Sequence, residues 1–331
     1  MRRVGLLPAI VVLCTVLTAE RVRAGAASAT VVVEVANGTA NGTTVVGDAA
    51  TLQVFHHQEL RESFETGVGE TGEAVFENVP IGAHLVAVAR VKHQNMAFRG
   101  GPVSLASTGT EYSTSVQVYD VSSDASPLSV GTHHITITVD DTSLRFTEYM
   151  QLRNGSDMAI TGSRRDAQNK PMVIEIMLPA GATDLTPSAY FEGSALVATD
   201  TGFYDTLAVP PGEHQITFSY RLDIDHPAAD IVKEISLPTS ELALFWEGGR
   251  AQVTGLGEPD ERLTNAQGVP VEYYQRHNVQ AGDRISFQVS GLNVKPSDAD
   301  TWIALAVAFA VVVAIALWRL RTGPTASPPA P

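Results

Sequence analysis

Between residues 28 and 296 the apolar positions alternate with polar ones in short runs. Val31-Val32-Val33-Glu34-Val35, His133 to Val139, Met172 to Leu178, His214 to Tyr220 and Arg284 to Val289 carry the pattern most clearly. Gly, Pro, Asn and Asp clusters separate them, and helical periodicity is scarce. Period-two runs rich in β-branched residues, broken at such intervals, predict half-buried strands of β-sandwiches. The pattern changes at both ends. Residues 302–318, WIALAVAFAVVVAIALW, are seventeen uncharged apolar residues. As a helix they would span about 26 Å, close to the hydrocarbon core of a bilayer.

The flanks of that run give an orientation. Trp302 and Trp318 stand where interfacial aromatics belong. Arg319 and Arg321 follow at once, and Asp298 and Asp300 precede it. The positive-inside rule then expects a single-pass protein of the cell membrane, with a cytoplasmic C-terminus and the rest in the periplasm or extracellular space. Arg2 and Arg3, the apolar stretch to Ala19 and the small residues before Ala26 fit a secretory signal peptide over 1–26. Ala306, Ala310 and Ala314 recur at every fourth residue, a small-residue seam along which two membrane helices can approach. The tail, 321–331, is short and Pro-rich.

Segmentation of the exported part follows from composition. Ser122-Ser123-Asp124-Ala125-Ser126-Pro127 reads as a linker, dividing 28–121 from 127–292. A second break, Asn293 to Asp300, leads to the membrane segment over 301–320. The 127–292 region is long enough for one enlarged sandwich or two small ones, with a possible seam near Asp223 to Asp230.

In the first unit, Thr71-Gly72-Glu73-Ala74-Val75-Phe76-Glu77-Asn78-Val79-Pro80-Ile81-Gly82-Ala83-His84 precedes the alternating run Leu85 to Val91. Gly72 allows a tight turn. Pro80 ends a strand because it cannot donate to the ladder, and Gly82 supplies a flexible turn position. This resembles the carboxypeptidase regulatory-like domain, a prealbumin-like (transthyretin-like) sandwich, whose members commonly read Thr-x-x-Gly-x-Phe-x-Phe-x-x-Val-Pro-x-Gly-x-Tyr. Gly72, Phe76, Val79, Pro80 and Gly82 match in register, and His84 takes the final aromatic place. Ala74 and Gly69 depart from the pattern. The resemblance implies a seven-stranded sandwich and says little about function, although such modules often accompany carbohydrate binding and envelope processing. Residues 201–214 align with 71–84 without gaps, repeating Thr, Gly, Val, Pro, Gly and His. This is either a duplicated sandwich or the same turn chemistry used twice. The fold expected is all-β: tandem β-sandwich domains, the first prealbumin-like, plus one C-terminal transmembrane helix.

Charge and cysteine content narrow the function classes. The chain carries a formal charge of −14. Without Arg2, Arg3, Glu20, Arg21 and Arg23 this becomes −17, and without Arg319 and Arg321 it becomes −19. Such a balance disfavours nucleic acid and anionic lipid as partners and is indifferent to neutral glycans. The single cysteine, Cys14, lies in the signal segment, so the exported part has neither disulfides nor thiolate chemistry.

Catalytic signatures are absent: no Gly-x-Ser-x-Gly elbow, P-loop or dinucleotide fingerprint occurs. His56-His57-Gln58-Glu59 contains a His-x-x-Glu spacing without a third ligand. Asp223 and Asp225 would share one face of a strand and offer paired oxygens to calcium, too few for a full coordination shell. No cofactor or resident metal is expected. Four adjacent aromatic pairs, Tyr190-Phe191, Phe203-Tyr204, Phe245-Trp246 and Tyr273-Tyr274, carry more weight. On a strand one ring of each pair faces the core and its neighbour faces out. We expect Trp246, Tyr204, Tyr190 and Tyr274 to face out and to stack on a sugar or anchor a protein. The resulting expectation is a membrane-anchored, non-catalytic binding protein for a protein partner or glycan. An accessory subunit of an envelope assembly and, more weakly, a hydrolase are the alternatives.

Overall fold

A computed structural model describes residues 27–292, apart from 107, 141, 189, 192 and 194. The expected signal peptide, the membrane segment with Trp302, Trp318, Arg319, Arg321, Ala306, Ala310 and Ala314, and the tail lie outside the described residues. Among the described residues the chain is all-β, with no helix.

Seven strands build the first unit: β1 Ser28–Asn37, β2 Ala49–His56, β3 Glu59–Gly67, β4 Glu73–Pro80, β5 Leu85–His93, β6 Met96–Ser104 and β7 Glu111–Val118. They form a three-stranded sheet, β4-β1-β7, and a four-stranded sheet, β3-β2-β5-β6. Val31, Val33, Phe76 and Val116 from the first sheet meet Leu52, Val54, Ala89 and Val91 from the second in one buried cluster. The alternation that marks these strands in the sequence is what places every second side chain in that cluster. His57 and Gln58 form the tight β2–β3 turn, both with positive φ (48° and 71°). Before β5 it is His84, at φ 63°, and not Gly82, that adopts the left-handed conformation.

The second unit contains β8 Val121–Ser122, β9 Leu128–Asp140, β10 Ser143–Asn154, β11 Ala159–Ile160, β12 Ile174–Met177, β13 Ala182–Pro187, β14 Leu196–Thr199 and β15 Gly202–Asp205. It continues with β16 Gly212–Asp223, β17 Ala228–Glu234, β18 Thr239–Glu247, β19 Gln252–Thr254, β20 Glu261–Thr264, β21 Pro270–Val279 and β22 Arg284–Ser290. A seven-stranded sheet, β13-β16-β10-β9-β18-β21-β20, forms one layer, and the sheets β12-β15-β14 and β17-β22-β19 supply residues opposite it. One buried cluster runs from Leu128 to Leu292 through residues on both sides of the Asp223–Asp230 stretch.

The repeated motif does the same job twice. β4 and β5 lie in different sheets of the first unit, and β15 and β16 lie in different sheets of the second. Each copy therefore carries the chain from one layer to the other; Val79-Pro80 closes β4, whereas β15 ends at Asp205, before Val209 bridges to Ile160. The first glycine of each copy is in a positive-φ conformation, Gly72 at 80° and Gly202 at 154°. A Cβ on Gly202 would lie 2.0 Å from the Ile176 carbonyl oxygen on the neighbouring strand β12. Gly202→Ala is therefore expected to destabilise the protein by about 2 kcal/mol or more, read as a shift of the urea midpoint at unchanged m-value.

The connection between the units is ordered. Val121 and Ser122 pair in parallel with Ala159 and Ile160. Asp124 accepts from the Ser126 amide at 2.9 Å and from its hydroxyl at 2.9 Å. Ala159 and Ala208 of the second unit are buried in the first unit's cluster. Two asparagines serve this frame: Asn37 Nδ2 donates to Asp120, and the buried Asn154 donates to the Met158 and Val209 carbonyls.

Candidate functional site

β9, β10, β18 and β21 are adjacent in the large sheet, so their outward side chains form one surface. Alternation puts Ile135, Phe146, Leu244 and Tyr274 in the core and their neighbours outside. The register sets Tyr149 opposite His134 and Phe245 opposite Tyr273. The four outward rings form a continuous row across the sheet. Centroids are 5.8 Å apart for Tyr149 and His134, 5.5 Å for His134 and Phe245, and 5.2 Å for Phe245 and Tyr273. All four are half-buried, and Ala243, on the same outward parity, is buried. Thr136 and Thr147 place hydroxyl groups beside the row, and Gln275 Nε2 donates to Glu241 Oε1 at 2.8 Å at its end. Burial, then the Glu241, Asp260 and Glu261 carboxylates, push the Tyr273 phenol up, so it stays neutral.

This corrects the sequence-based choice of rings. Trp246, Tyr204 and Tyr274 are buried, at 3%, 4% and 7% exposure. Tyr204 OH donates to Asp166 Oδ2 at 2.8 Å and Tyr274 OH to Glu272 Oε2 at 2.8 Å. Tyr190 packs on the core edge-to-face with Phe191 and His214, at 5.6 and 5.5 Å. The alternation within Phe245-Trp246 and Tyr273-Tyr274 holds, with the faces reversed. Phe203 and Tyr204 both lie in the interior.

The calcium pair is not assembled either. Asp223 Oδ1 lies 3.0 Å from Arg221 Nε, and the exposed Asp225 pairs with His226. Among the described residues no group of three or more His, Cys, Asp or Glu side chains is arranged to hold a metal ion. That includes His56, His57 and His84, whose rings nevertheless gather with centroids 4.3 to 6.4 Å apart. His57 and His84 edge a shallow depression of about 530 Å³ floored by Phe55, Val86 and Val88. The His-x-x-Glu spacing thus brings histidines together through the β2–β3 turn and the residue before β5, without a ligand set.

A second constellation has no counterpart among the sequence expectations. Glu148 lies in the core of the second unit with no exposed side-chain surface. Its Oε2 accepts from His133 Nε2 at 2.7 Å. Its Oε1 accepts from Tyr220 OH at 2.7 Å and lies 2.9 Å from Lys233 Nζ. Lys233 also donates to the Met177 carbonyl at 2.7 Å. Burial opposes ionisation, yet Lys233 and His133 hold the Glu148 carboxyl at about 2. Burial pushes the His133 imidazole below its ordinary 6.5, against the pull of Glu148. His133 therefore donates one proton from a neutral ring, while Lys233 and Glu148 form the ion pair. The adjoining void, lined by His133, Lys233 and Thr239, is about 10 Å³, room for no substrate. The network ties β9, β10, β16, β17 and β12 together across both layers and is sealed from reaction chemistry.

No family model matches the chain, and no curated protein matches it. Among solved structures, a mutant M1 zinc metallopeptidase from Deinococcus radiodurans, with a Tyr-Ser-Ala substrate bound, aligns at 12% identity with a TM-score of 0.32. The alignment covers 50% of this chain and 43% of that one, so the chain spans less than half of that structure's length.

Proposed function

We propose that the chain is a single-pass, membrane-tethered binding protein without catalytic activity, and that the outer face of its large sheet is the binding surface. The observation that carries this reading is the row Tyr149, His134, Phe245 and Tyr273, continuous over four adjacent strands. Apolar ring surface interleaved with threonine hydroxyls suits a neutral glycan, which presents C–H faces to rings and hydroxyls to polar neighbours. A protein anchored by its own aromatic residues is the alternative occupant of the same face. The acidic balance supports an uncharged ligand over a polyanion.

The path of the chain suits presentation of that face from a membrane. It enters the large sheet of the second unit at Leu128, where β9 meets the end of β10. It leaves at Leu292, beside Asp140 at the opposite end of β9. If 302–318 spans the bilayer, the second unit stands between the membrane and the first unit, separated by the length of β9, roughly 40 Å. We read the first unit as a carboxypeptidase regulatory-like module. Its three- and four-stranded sheets support that reading.

The test is binding of the detergent-solubilised full chain to a panel of neutral oligosaccharides. Tyr149→Ala and Phe245→Ala are each expected to weaken binding about tenfold or more while leaving the thermal midpoint nearly unchanged. Retained affinity in both variants would remove the outer face from consideration.

A further inference from the structure

His93 is the last residue of β5, and its ring is 2% exposed. Nδ1 lies 2.6 Å from Asp48 Oδ2, and Nε2 lies 3.0 Å from Asp120 Oδ1. An ionised carboxylate only accepts hydrogen bonds, so each ring nitrogen needs a proton to hold its partner. A neutral imidazole has one such proton. The arrangement is complete only for the imidazolium.

Three separate parts of the chain meet here. Asp48 closes the β1–β2 loop, His93 ends β5, and Asp120 opens the connection to the second unit. Asp120 is also held by Asn37 Nδ2 at 2.7 Å, Thr43 Oγ1 at 2.8 Å and the Thr43 amide at 3.0 Å. The same loop reaches the second unit: Thr39 Oγ1 donates to the Asp157 carbonyl at 2.9 Å, and the Ala40 amide donates to Asp157 Oδ2 at 3.1 Å. Thr39 Oγ1 in turn accepts from the Asp120 amide at 3.0 Å. The Val121 amide donates to Gln94 Oε1, beside His93, at 2.9 Å. The histidine therefore sits at the joint between the two units.

We propose that His93 is a proton-operated latch on this joint. As an imidazolium it ties Asp48 and Asp120 to the end of β5. On losing a proton it keeps one carboxylate, turns a lone pair on the other, and loosens the 38–48 loop together with the connection at 120–122. The charged groups facing the ring are Asp48, from the loop before β2, and Asp120, from the segment after β7. β1 and the loop contribute the uncharged Asn37 and Thr43, and Asp157 bonds the same loop at Thr39 and Ala40.

The electrostatics agree in direction. Burial disfavours the charged ring, but the two carboxylates outweigh it and raise His93 above its ordinary 6.5. For Asp120, burial is outweighed by the bonds from His93, Asn37 and Thr43, which hold it far below the carboxylate range. With a raised folded value, the stabilisation from His93 is fully present below pH 6.5 and is lost as pH rises through the folded value. With a depressed folded value, that from Asp120 is present above its ordinary 3.8 and is lost only in strong acid.

The experiment is NMR and hydrogen exchange on the full chain in detergent. At pH 6 both ring nitrogens of His93 are expected to be protonated. Protection of the Thr43 and Asp120 amides, corrected for intrinsic exchange, should fall as pH rises through the His93 midpoint. The expected fall is about tenfold for each unit by which that midpoint exceeds the ordinary value. In His93→Gln this dependence should vanish. Asp48→Asn, which keeps an acceptor but removes a charge, should move the midpoint down and serves if the glutamine variant does not fold. A singly protonated ring at pH 6, pH-independent protection, or an unmoved midpoint in Asp48→Asn would each overturn the proposal.

Discussion

Glu148→Ala is expected to cost about 3–5 kcal/mol of stability. The reason lies in what remains behind. Lys233 would keep its charge inside the second unit, within 6.0 Å of the Tyr220 ring, with only the Met177 carbonyl to answer it. The Tyr220 hydroxyl and His133 Nε2 would lose the acceptor they share. An ion pair buried this deeply adds little net stability over well-packed apolar side chains of similar size, because its desolvation offsets its attraction. The double variant Glu148→Met with Lys233→Met should therefore recover most of the loss. Urea denaturation of the single and double variants measures this. If the double variant is as unstable as Glu148→Ala, the unpaired lysine is not the cause.

The same network makes stability depend on pH with a definite sign. His133 has a folded value below 6.5, so the unfolded chain takes up a proton first as pH falls. Stability is lost below pH 6.5 on this account. Glu148, depressed to about 2 from an ordinary 4.5, adds a further loss between those values. His93 acts in the opposite direction, above pH 6.5. Replacing one histidine at a time separates the two limbs of the profile.

Adjacent residues Phe245 and Trp246 should respond in opposite ways. Trp246 is core, 3% exposed, and Trp246→Ala is expected to cost about 3–5 kcal/mol through lost transfer energy and a cavity. Gly248 packs against this indole, since a Cβ there would fall 2.1 Å from Trp246 Nε1. Phe245→Ala removes an outward ring that belongs to no buried cluster, so its stability effect should be a small fraction of that. Ligand binding should show the reverse ranking when only folded protein is compared. Thermal melts and glycan binding of the two variants give both readings. Equal destabilisation would mean that the outer row is a structural layer and not a ligand surface.

These contrasts show which links were legible from sequence. Alternation along His133 to Val139 and His214 to Tyr220 announces strands because only one face of each is buried. It does not announce which face for Phe245-Trp246 or Tyr273-Tyr274. Both parities there are aromatic, and the neighbouring strands decide. The buried network is written as departures from the pattern: Glu148 sits two residues from Phe146 and Met150, and Lys233 two residues from Ile231 and Ile235. Each looks like a misplaced charge until β10 and β17 are brought face to face, 85 positions apart in the chain. The Asp48–His93–Asp120 cluster has no local signature at all, since its members come from three separate chain segments. The Val-Pro-x-Gly repeat was legible as turn chemistry. Its role as a crossing between layers required the sheets.

The most direct test of the binding-face reading is photo-crosslinking in native membranes, with p-benzoylphenylalanine in place of Phe245 and, separately, of Val232. Val232 is exposed, at 45%, on a strand of the opposite layer and serves as the comparison. The reading predicts a discrete adduct, to glycan or protein, from position 245 and none from position 232. Adducts from position 232 alone, or equally from both, would contradict it.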